Sequence, residues 1–115
     1  MEIRSYLKEG TTIFELDGKL DVNTSPMAQE QIMACIVPGC RVVIDMKNCD
    51  YVSSAGLRVL LVIAKQLAKV GGFGVLAHVL EEVKDVMQMT GFDNLFKCYD
   101  DIEQAVSAVQ KGDRV

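Results

Sequence analysis

The residues from Ser54 to Lys69 follow the pattern of an amphipathic helix more closely than any other part of the chain. Apolar residues recur there at intervals of three and four, which places them on one face of a helix: Leu57, Leu60, Leu61, Ala64, Leu67 and Ala68. Val59, Ile63 and Val70 make one flank of the same helix apolar as well. We therefore expect this helix to pack on a sheet and to be contacted from the side by another part of the chain. The apolar flank is also compatible with a contact to a second copy of the chain.

Strand-like segments precede and follow this helix. "RVVIDM", which begins at Arg41, is short, β-branched and almost continuously apolar, as in a central strand that is covered on both faces. Gly71 and Gly72 end the helix, and "FGVLAHV" is the next strand. The first 22 residues predict two or three short strands with a turn at Gly10, and the last of them alternates through Phe14, Leu16, Leu20 and Val22.

Three further helices are predicted. One begins at Ser25, with serine as N-cap and proline in the first turn, and buries Ala28, Ile32, Cys35 and Ile36 before Pro38 stops it. "EEVKDVMQMTG" is a shorter helix closed by Gly91. After "LFKCY", a short edge strand, Asp100 caps a last helix with Glu103 completing a capping box and with Ile102, Ala105, Val106 and Val109 inward. The sequence therefore predicts one α/β domain over residues 1–115, with a frayed tail after Lys111.

Composition excludes several functional classes. The 115 residues carry a net charge of −4, whereas a nucleic-acid-binding domain needs a basic face. The four cysteines have no C-x-x-C spacing and His78 is the only histidine, so neither a zinc site nor a metal or cofactor is expected. The thiols are expected to be reduced and mostly buried. The longest apolar run is too short to span a bilayer, and no leader pattern follows Met1, so we expect a cytoplasmic protein that contacts no membrane.

The stretch "DYVSSAGLRVLL", from Asp50 to Leu61, joins the apolar strand to the amphipathic helix. On the residues alone, the simplest interpretation is that Ser53 or Ser54 is an ordinary N-cap. A serine at this place is also open to phosphorylation, because the free N–H groups of a helix N-terminus tolerate an anion. A hydrolase nucleophile is a weaker alternative, since Val52 replaces the first glycine of G-x-S-x-G and nothing places His78 nearby. Asp45 as the phospho-acceptor of a receiver domain lacks the accompanying acidic pair.

Asp21, in "GKLDVNTSP", is the second candidate residue. It is either a turn aspartate that bonds its own backbone or a carboxylate on the same face as Ser54. In the second case a phosphate on Ser54 would be repelled by it.

Three segments together resemble the STAS domain of anti-sigma factor antagonists: "GKLDVNTSP", "VVIDMKNCDYVSSAGLRVLL" and the segment from "GGFGVLAHV" to "DDIEQAV". The resemblance covers essentially the whole chain. It implies a four-to-five-stranded mixed sheet with about four helices packed mainly on one face. It also implies a protein that is not an enzyme: the unphosphorylated form binds an anti-sigma factor that is a serine kinase, and so releases the sigma factor. Phosphorylation ends the binding, and a metal-dependent PP2C-type serine phosphatase restores it.

The resemblance also assigns residues. The family motif is Asp-Ser-Ser/Thr-Gly-Leu, and alignment on Gly56 and Leu57 makes Ser54 the phosphate acceptor. Ala55 replaces the second hydroxyl residue, and Ser53 replaces the aspartate and becomes a competing acceptor. The partner-binding surface implied is Asp21, Ser53, Ser54, Ala55, Gly56 and Arg58. The alternative is a phosphorylation-independent STAS scaffold or ligand-sensing module, and in either case the chain is expected to be a monomer or a weak dimer.

Overall fold

Nine helices and strands form one α/β domain in the computed structural model, which describes residues 1–112. In chain order they are β1 (Glu2–Lys8), β2 (Thr11–Asp17), α1 (Ser25–Met33), β3 (Arg41–Asn48), α2 (Ser54–Val70), β4 (Phe73–Ala77), α3 (Glu81–Thr90), β5 (Cys98–Tyr99) and α4 (Ile102–Gln110). The strands form a single sheet in the order β1-β2-β3-β4-β5. β1 is antiparallel to β2, and all other neighbours are parallel, so the predicted mixed sheet is confirmed.

The sheet separates two apolar clusters. The larger cluster lies under α1, α2 and α3, and it includes Phe14, Leu16 and Ile44 from the sheet. The smaller one lies on the opposite face, where Ala105, Val106 and Val109 of α4 pack on Ile13, Val43 and Val75. Three helices on one face and one on the other confirm the expectation of helices mainly on one side. β3 is central, and all five residues from Val42 to Met46 are buried, as a strand covered on both faces requires.

The strand predicted to continue through Val22 ends earlier. β2 stops at Asp17, and Gly18 follows with a φ of 127° that other residues rarely adopt. Leu20 is buried but makes only an isolated parallel bridge to Val52, and Val22 is 70% exposed. The prediction that the strand continues through Leu20 and Val22 was therefore wrong, because the chain turns at Gly18, after the end of β2.

Two helix starts differ from expectation by one residue. Ser25 is the first residue of α1 rather than its cap, which is Thr24, although the helix still has proline in its first turn. Asp101 rather than Asp100 caps α4, since the Asp101 carboxylate accepts a hydrogen bond from the Gln104 amide. Within residues 1–112 Glu103 makes no capping-box hydrogen bond, and its carboxylate instead pairs with Lys8 of β1 at 3.4 Å.

The long helix α2 is contacted from the side by α1. Val59 and Ile63 are consequently buried, whereas Ala68, predicted on the core face, is exposed. Two of the three residues of the predicted apolar flank are thus covered by the chain itself, and Val70 is partly buried, which leaves little apolar surface there for a dimer contact.

The cysteines are less buried than expected. All four are free thiols, and Cys49 is buried, but Cys35 and Cys98 are exposed and Cys40 is half-buried. Cys35 is exposed because α1 ends at Met33, before the predicted helical face would have reached it. Within residues 1–112 no helix is long and apolar enough to cross a membrane. The expected frayed tail lies for the most part beyond the described residues.

Candidate functional site

Ser53 is the N-cap of α2. Its backbone is extended, with φ −84° and ψ 177°, and its Oγ accepts a hydrogen bond from the Gly56 amide at 3.3 Å. Its carbonyl oxygen accepts the first helical bond, from the Leu57 amide at 2.9 Å. The hydroxyl of Ser53 therefore has a structural task, as an N-cap hydroxyl normally does.

Ser54 is the first residue of α2, and its environment differs from that of its neighbour. The side chain is exposed, and within residues 1–112 its Oγ makes no hydrogen bond. Its hydroxyl is thus accessible and is not needed for the cap. Of the two serines that the sequence left as competing candidates, this is the one whose modification would leave the cap bond intact.

The start of α2 is held against the loop that follows β2. The Ser53 amide donates to the Leu20 carbonyl oxygen, and the Leu20 amide donates to the Tyr51 carbonyl oxygen, both at 2.9 Å. Gly56 makes this approach possible, because a Cβ there would lie 2.6 Å from the Leu20 oxygen and 2.9 Å from Val52 Cγ1. Gly56 is buried, so it shapes the site by packing inside it.

Asp21 follows Leu20 directly and so lies beside the start of α2. Its Oδ1 accepts hydrogen bonds from the Asn23 amide at 2.9 Å and from the Thr24 amide at 3.1 Å. These two bonds, that of Thr24 first, hold the pKa of the Asp21 carboxyl below its usual value. The turn-aspartate interpretation is therefore correct in geometry, and the same bonds keep a negative charge at this place.

A groove runs between α1 and the first turns of α2, with a volume of about 680 Å³. Ser54, Ala55 and Arg58 line it on the α2 side. On the α1 side it is lined by residues that the sequence did not assign to the site: Pro26, Gln29, Glu30 and Met33. No local sequence pattern could have identified these residues, because they reach the site only through the tertiary contact between α1 and α2. Asp21, Ser53 and Gly56 support the groove from outside its lining.

Arg58 is an exposed cation at this groove. No ion pair of its guanidinium is found within residues 1–112. It lies four residues after Ser54, the spacing that brings two side chains onto neighbouring positions of a helix surface. An arginine so placed is free to bind an anion or a carboxylate of a partner.

The geometry does not support the hydrolase alternative, because His78 is not paired with Ser54. His78 follows β4, and its Nδ1 contacts Asp45 Oδ1 at 3.0 Å. Asp45 lies on the strand face that packs toward α4, whereas α2 lies on the other face. The histidine therefore pairs with a nearly buried carboxylate rather than with Ser54. The sequence analysis missed this pair. It could have been predicted, because Asp45 and His78 lie near the C-terminal ends of two neighbouring parallel strands. No cluster suited to a metal ion occurs in the described part of the chain.

Comparisons with known proteins agree with this architecture. The STAS domain family model matches residues 2–105. The Bordetella bronchiseptica protein named "Putative anti-sigma factor antagonist BtrV" is 36% identical over 101 residues, which is 87% of either chain.

Solved structures share the fold. The crystal structure of an anti-sigma factor antagonist from Mycobacterium paratuberculosis superposes with a TM-score of 0.82 at 23% identity, over 95% of this chain and 93% of that one. SpoIIAA in its unphosphorylated form gives a TM-score of 0.79 at 19% identity, over 96% and 97% of the two chains. The phosphorylated form of the Bacillus SpoIIAA gives 0.70 at 18% identity, over 94% and 99%. The chain belongs to the STAS domain family, and its relatives are the anti-sigma factor antagonists, which are regulatory binding proteins rather than enzymes.

Proposed function

We propose that this chain is a cytoplasmic anti-sigma factor antagonist whose binding is switched off by phosphorylation of Ser54. In its unphosphorylated form it binds a serine-kinase anti-sigma factor through the groove between α1 and α2, and the sigma factor is released. The kinase then transfers the γ-phosphoryl group of ATP to the Ser54 hydroxyl, and the complex dissociates. A PP2C-type serine phosphatase hydrolyses the phosphate ester and restores the binding form.

The observation that supports this proposal most is the difference between the two serines. Ser54 Oγ is exposed and makes no hydrogen bond to residues 1–112, while Ser53 Oγ caps α2. A phosphate on Ser54 would leave the cap and the hydrogen bond from the Ser53 amide to Leu20 in place. The fold is therefore compatible with a change of charge at its surface, as a reversible switch requires.

The local charges give phosphorylation a physical effect. A phosphoserine adds about −1.5 to −2 charges at neutral pH. Asp21 beside it is held in its ionised form, and Glu30 lines the groove, so the added charge would lie near two carboxylates. Arg58, which also lines the groove, carries a single positive charge and so offsets only part of the added charge. A partner surface that matches the unmodified groove would then face a more negative surface. The relative SpoIIAA, solved in both phosphorylated and unphosphorylated forms, supports a switch of this kind.

The test uses the purified chain, its cognate anti-sigma factor kinase and ATP, with phosphate located by mass spectrometry. We expect one phosphate on Ser54, which persists in Ser53→Ala and is lost in Ser54→Ala. Phosphate on Ser53 in the unaltered chain would contradict the assignment of the acceptor. No phosphate on either serine would contradict the switch itself.

Binding to the anti-sigma factor provides the second measurement. Ser54→Ala should bind as the unaltered chain does, whereas Ser54→Asp should bind at least about tenfold more weakly, equivalent to about 1.4 kcal/mol. Arg58→Ala tests the groove without changing the acceptor, and we expect weaker binding from it too. Equal binding by Ser54→Ala and Ser54→Asp would favour a phosphorylation-independent STAS scaffold instead.

A further inference from the structure

β1 forms an open edge of the sheet. It pairs with β2 on one side, and no strand within residues 1–112 pairs with its other side. Alternate residues of this seven-residue strand therefore direct their backbone N–H and C=O groups to the open side, which is a template for a further strand. The opposite edge, β5, has only two residues and offers no comparable template.

The side chains of β1 are also largely uncovered. Leu7 is 75% exposed and Tyr6 is 41% exposed. Glu2, Arg4, Tyr6 and Lys8 point to the face that bears α4, since Tyr6 lies opposite Ile13 of the smaller cluster. Ile3, Ser5 and Leu7 point to the other face, since Ile3 lies opposite Leu16 of the larger cluster.

We propose that a second copy of this chain pairs with β1 in antiparallel orientation, about a two-fold axis that is perpendicular to the sheet and lies midway between the two Ser5 residues. Ser5 then lies opposite Ser5 of the second copy. The same axis pairs Glu2 with Lys8, Ile3 with Leu7, and Arg4 with Tyr6, each across the boundary. The result is an isologous dimer with one continuous sheet, the closed symmetry that most homodimers adopt.

The chemistry of β1 selects this register. A two-fold axis normal to the sheet preserves its faces, so only residues on the same face can lie opposite each other, and the register can change only in steps of two. In the proposed register the side-chain pairs are complementary: opposite charges for Glu2 and Lys8, apolar contact for Ile3 and Leu7, and a cation on an aromatic ring for Arg4 and Tyr6. Arg4 and Lys8 also pair with carboxylates of their own chain, so in the dimer they share partners from both copies.

The two nearest alternative registers are unfavourable. One places Arg4 opposite Arg4 of the second copy, and the other places Arg4 opposite Lys8. Like charges directly opposite each other destabilise a strand pair. The strand is thus self-complementary about Ser5 and not about Arg4 or Tyr6. Because only one strand from each copy meets and each chain carries a net charge of −4, the dimer should be weak and should depend on concentration.

Disulfide trapping tests the register. Ser5→Cys is made in a parent variant in which the exposed Cys35 and Cys98 are replaced by serine. The parent variant without Ser5→Cys serves as the blank. Opposed Cα atoms in antiparallel strands lie about 4.5–5.5 Å apart, within the range that a disulfide spans. Oxidised glutathione should therefore cross-link two copies through the thiols introduced at position 5. The matched control is Leu7→Cys, which is also exposed but is displaced by about 13 Å along the strand from its symmetry mate in this register.

Equal cross-linking by Leu7→Cys and Ser5→Cys would overturn the register, and no cross-linking above the blank by Ser5→Cys would overturn the dimer. Both variants change exposed side chains, and circular dichroism checks that the fold is retained.

Charge reversal tests the same interface without covalent chemistry. Glu2→Lys and Lys8→Glu should each raise the dimer dissociation constant, measured by sedimentation equilibrium, by about tenfold, because each places like charges opposite twice in the dimer. The double variant restores opposite charges across the boundary and should recover the original constant. A chain that remains monomeric up to millimolar concentration, or a double variant that dimerises no better than either single one, would overturn the proposal.

Discussion

At the scale of single residues, the site depends on the lack of a side chain at Gly56. Gly56 lets the first turn of α2 approach Leu20, since a Cβ would lie 2.6 Å from the Leu20 carbonyl oxygen. That oxygen belongs to the backbone and accepts the Ser53 amide, so it cannot move aside without loss of the bond. The geometry of the acceptor serine is therefore set by a neighbour that contributes no side chain.

Gly56→Ala should destabilise the fold, because the added methyl group overpacks the junction between α2 and the loop after β2. We expect a loss of about 1–3 kcal/mol in the free energy of unfolding, measured by urea denaturation. Ser54→Ala, in the same helical turn, is the matched control and should change the stability by less than about 0.5 kcal/mol. A Gly56→Ala variant as stable as this control would show that the junction can relax.

Asp21 should make stability depend on pH. Its pKa is lowered in the folded chain by the amide hydrogen bonds of Thr24 and Asn23, so the ionised form favours folding. This contribution is fully present above the ordinary value of 3.8 and is lost as pH falls through the lower folded value. The stability difference between the unaltered chain and Asp21→Asn should therefore shrink in acid. Asp93→Asn, an exposed carboxylate elsewhere, controls for the charge, and a difference constant with pH would contradict this role.

At the scale of the helices and strands, α4 is one of the two helices whose start differs from the prediction by one residue. Asp101 has an extended backbone and its carboxylate receives the Gln104 amide at 2.8 Å. Asp101→Ala should therefore cost about 1 kcal/mol in the free energy of unfolding. Asp100→Ala, one residue earlier, should change it by less than about 0.5 kcal/mol. Equal losses from the two variants, measured by thermal or urea unfolding, would contradict the observed cap.

Elements with strong local signals were predictable from the sequence, and contacts between elements were not. The period of α2, the continuous apolar run of β3 and the glycine that ends α3 are local, and each was found where expected. Two adjacent aspartates at 100 and 101 offer equivalent caps, and only the register of α4 on the sheet decides between them. Val22 fitted the alternation by chance, since nothing in the pattern reports the turn at Gly18.

The candidate site divides in the same way. The serine turn and Asp21 were found because their residue types and order are distinctive. The α1 side of the groove and the distinct tasks of Ser53 and Ser54 depend on how α1 packs on α2, which the sequence does not encode locally.

At the scale of the whole molecule, the sheet has a protected centre and open edges. β3 has strands on both sides and apolar clusters on both faces, whereas β1 and β5 each have one neighbouring strand in the described part of the chain. In dilute solution, amide hydrogen exchange should therefore be slowest in β3, where it needs nearly global unfolding, and much faster in β5. Native-state exchange with a low denaturant series measures this, and β5 amides protected as strongly as those of β3 would contradict it.

The anchoring of Ser54 also limits how an enzyme can recognise it. Ser54 begins a helix that is tied to a distant loop by the hydrogen bond between Ser53 and Leu20 and by the close packing of Gly56. A short peptide with the same sequence would lack both the hydrogen bond to Leu20 and the packing of Gly56, and it would be mostly unstructured in water. If a kinase modifies this serine in the folded chain, its specificity must be for a surface assembled from segments far apart in sequence. A linear consensus motif would then be a poor guide to the other substrates of that kinase.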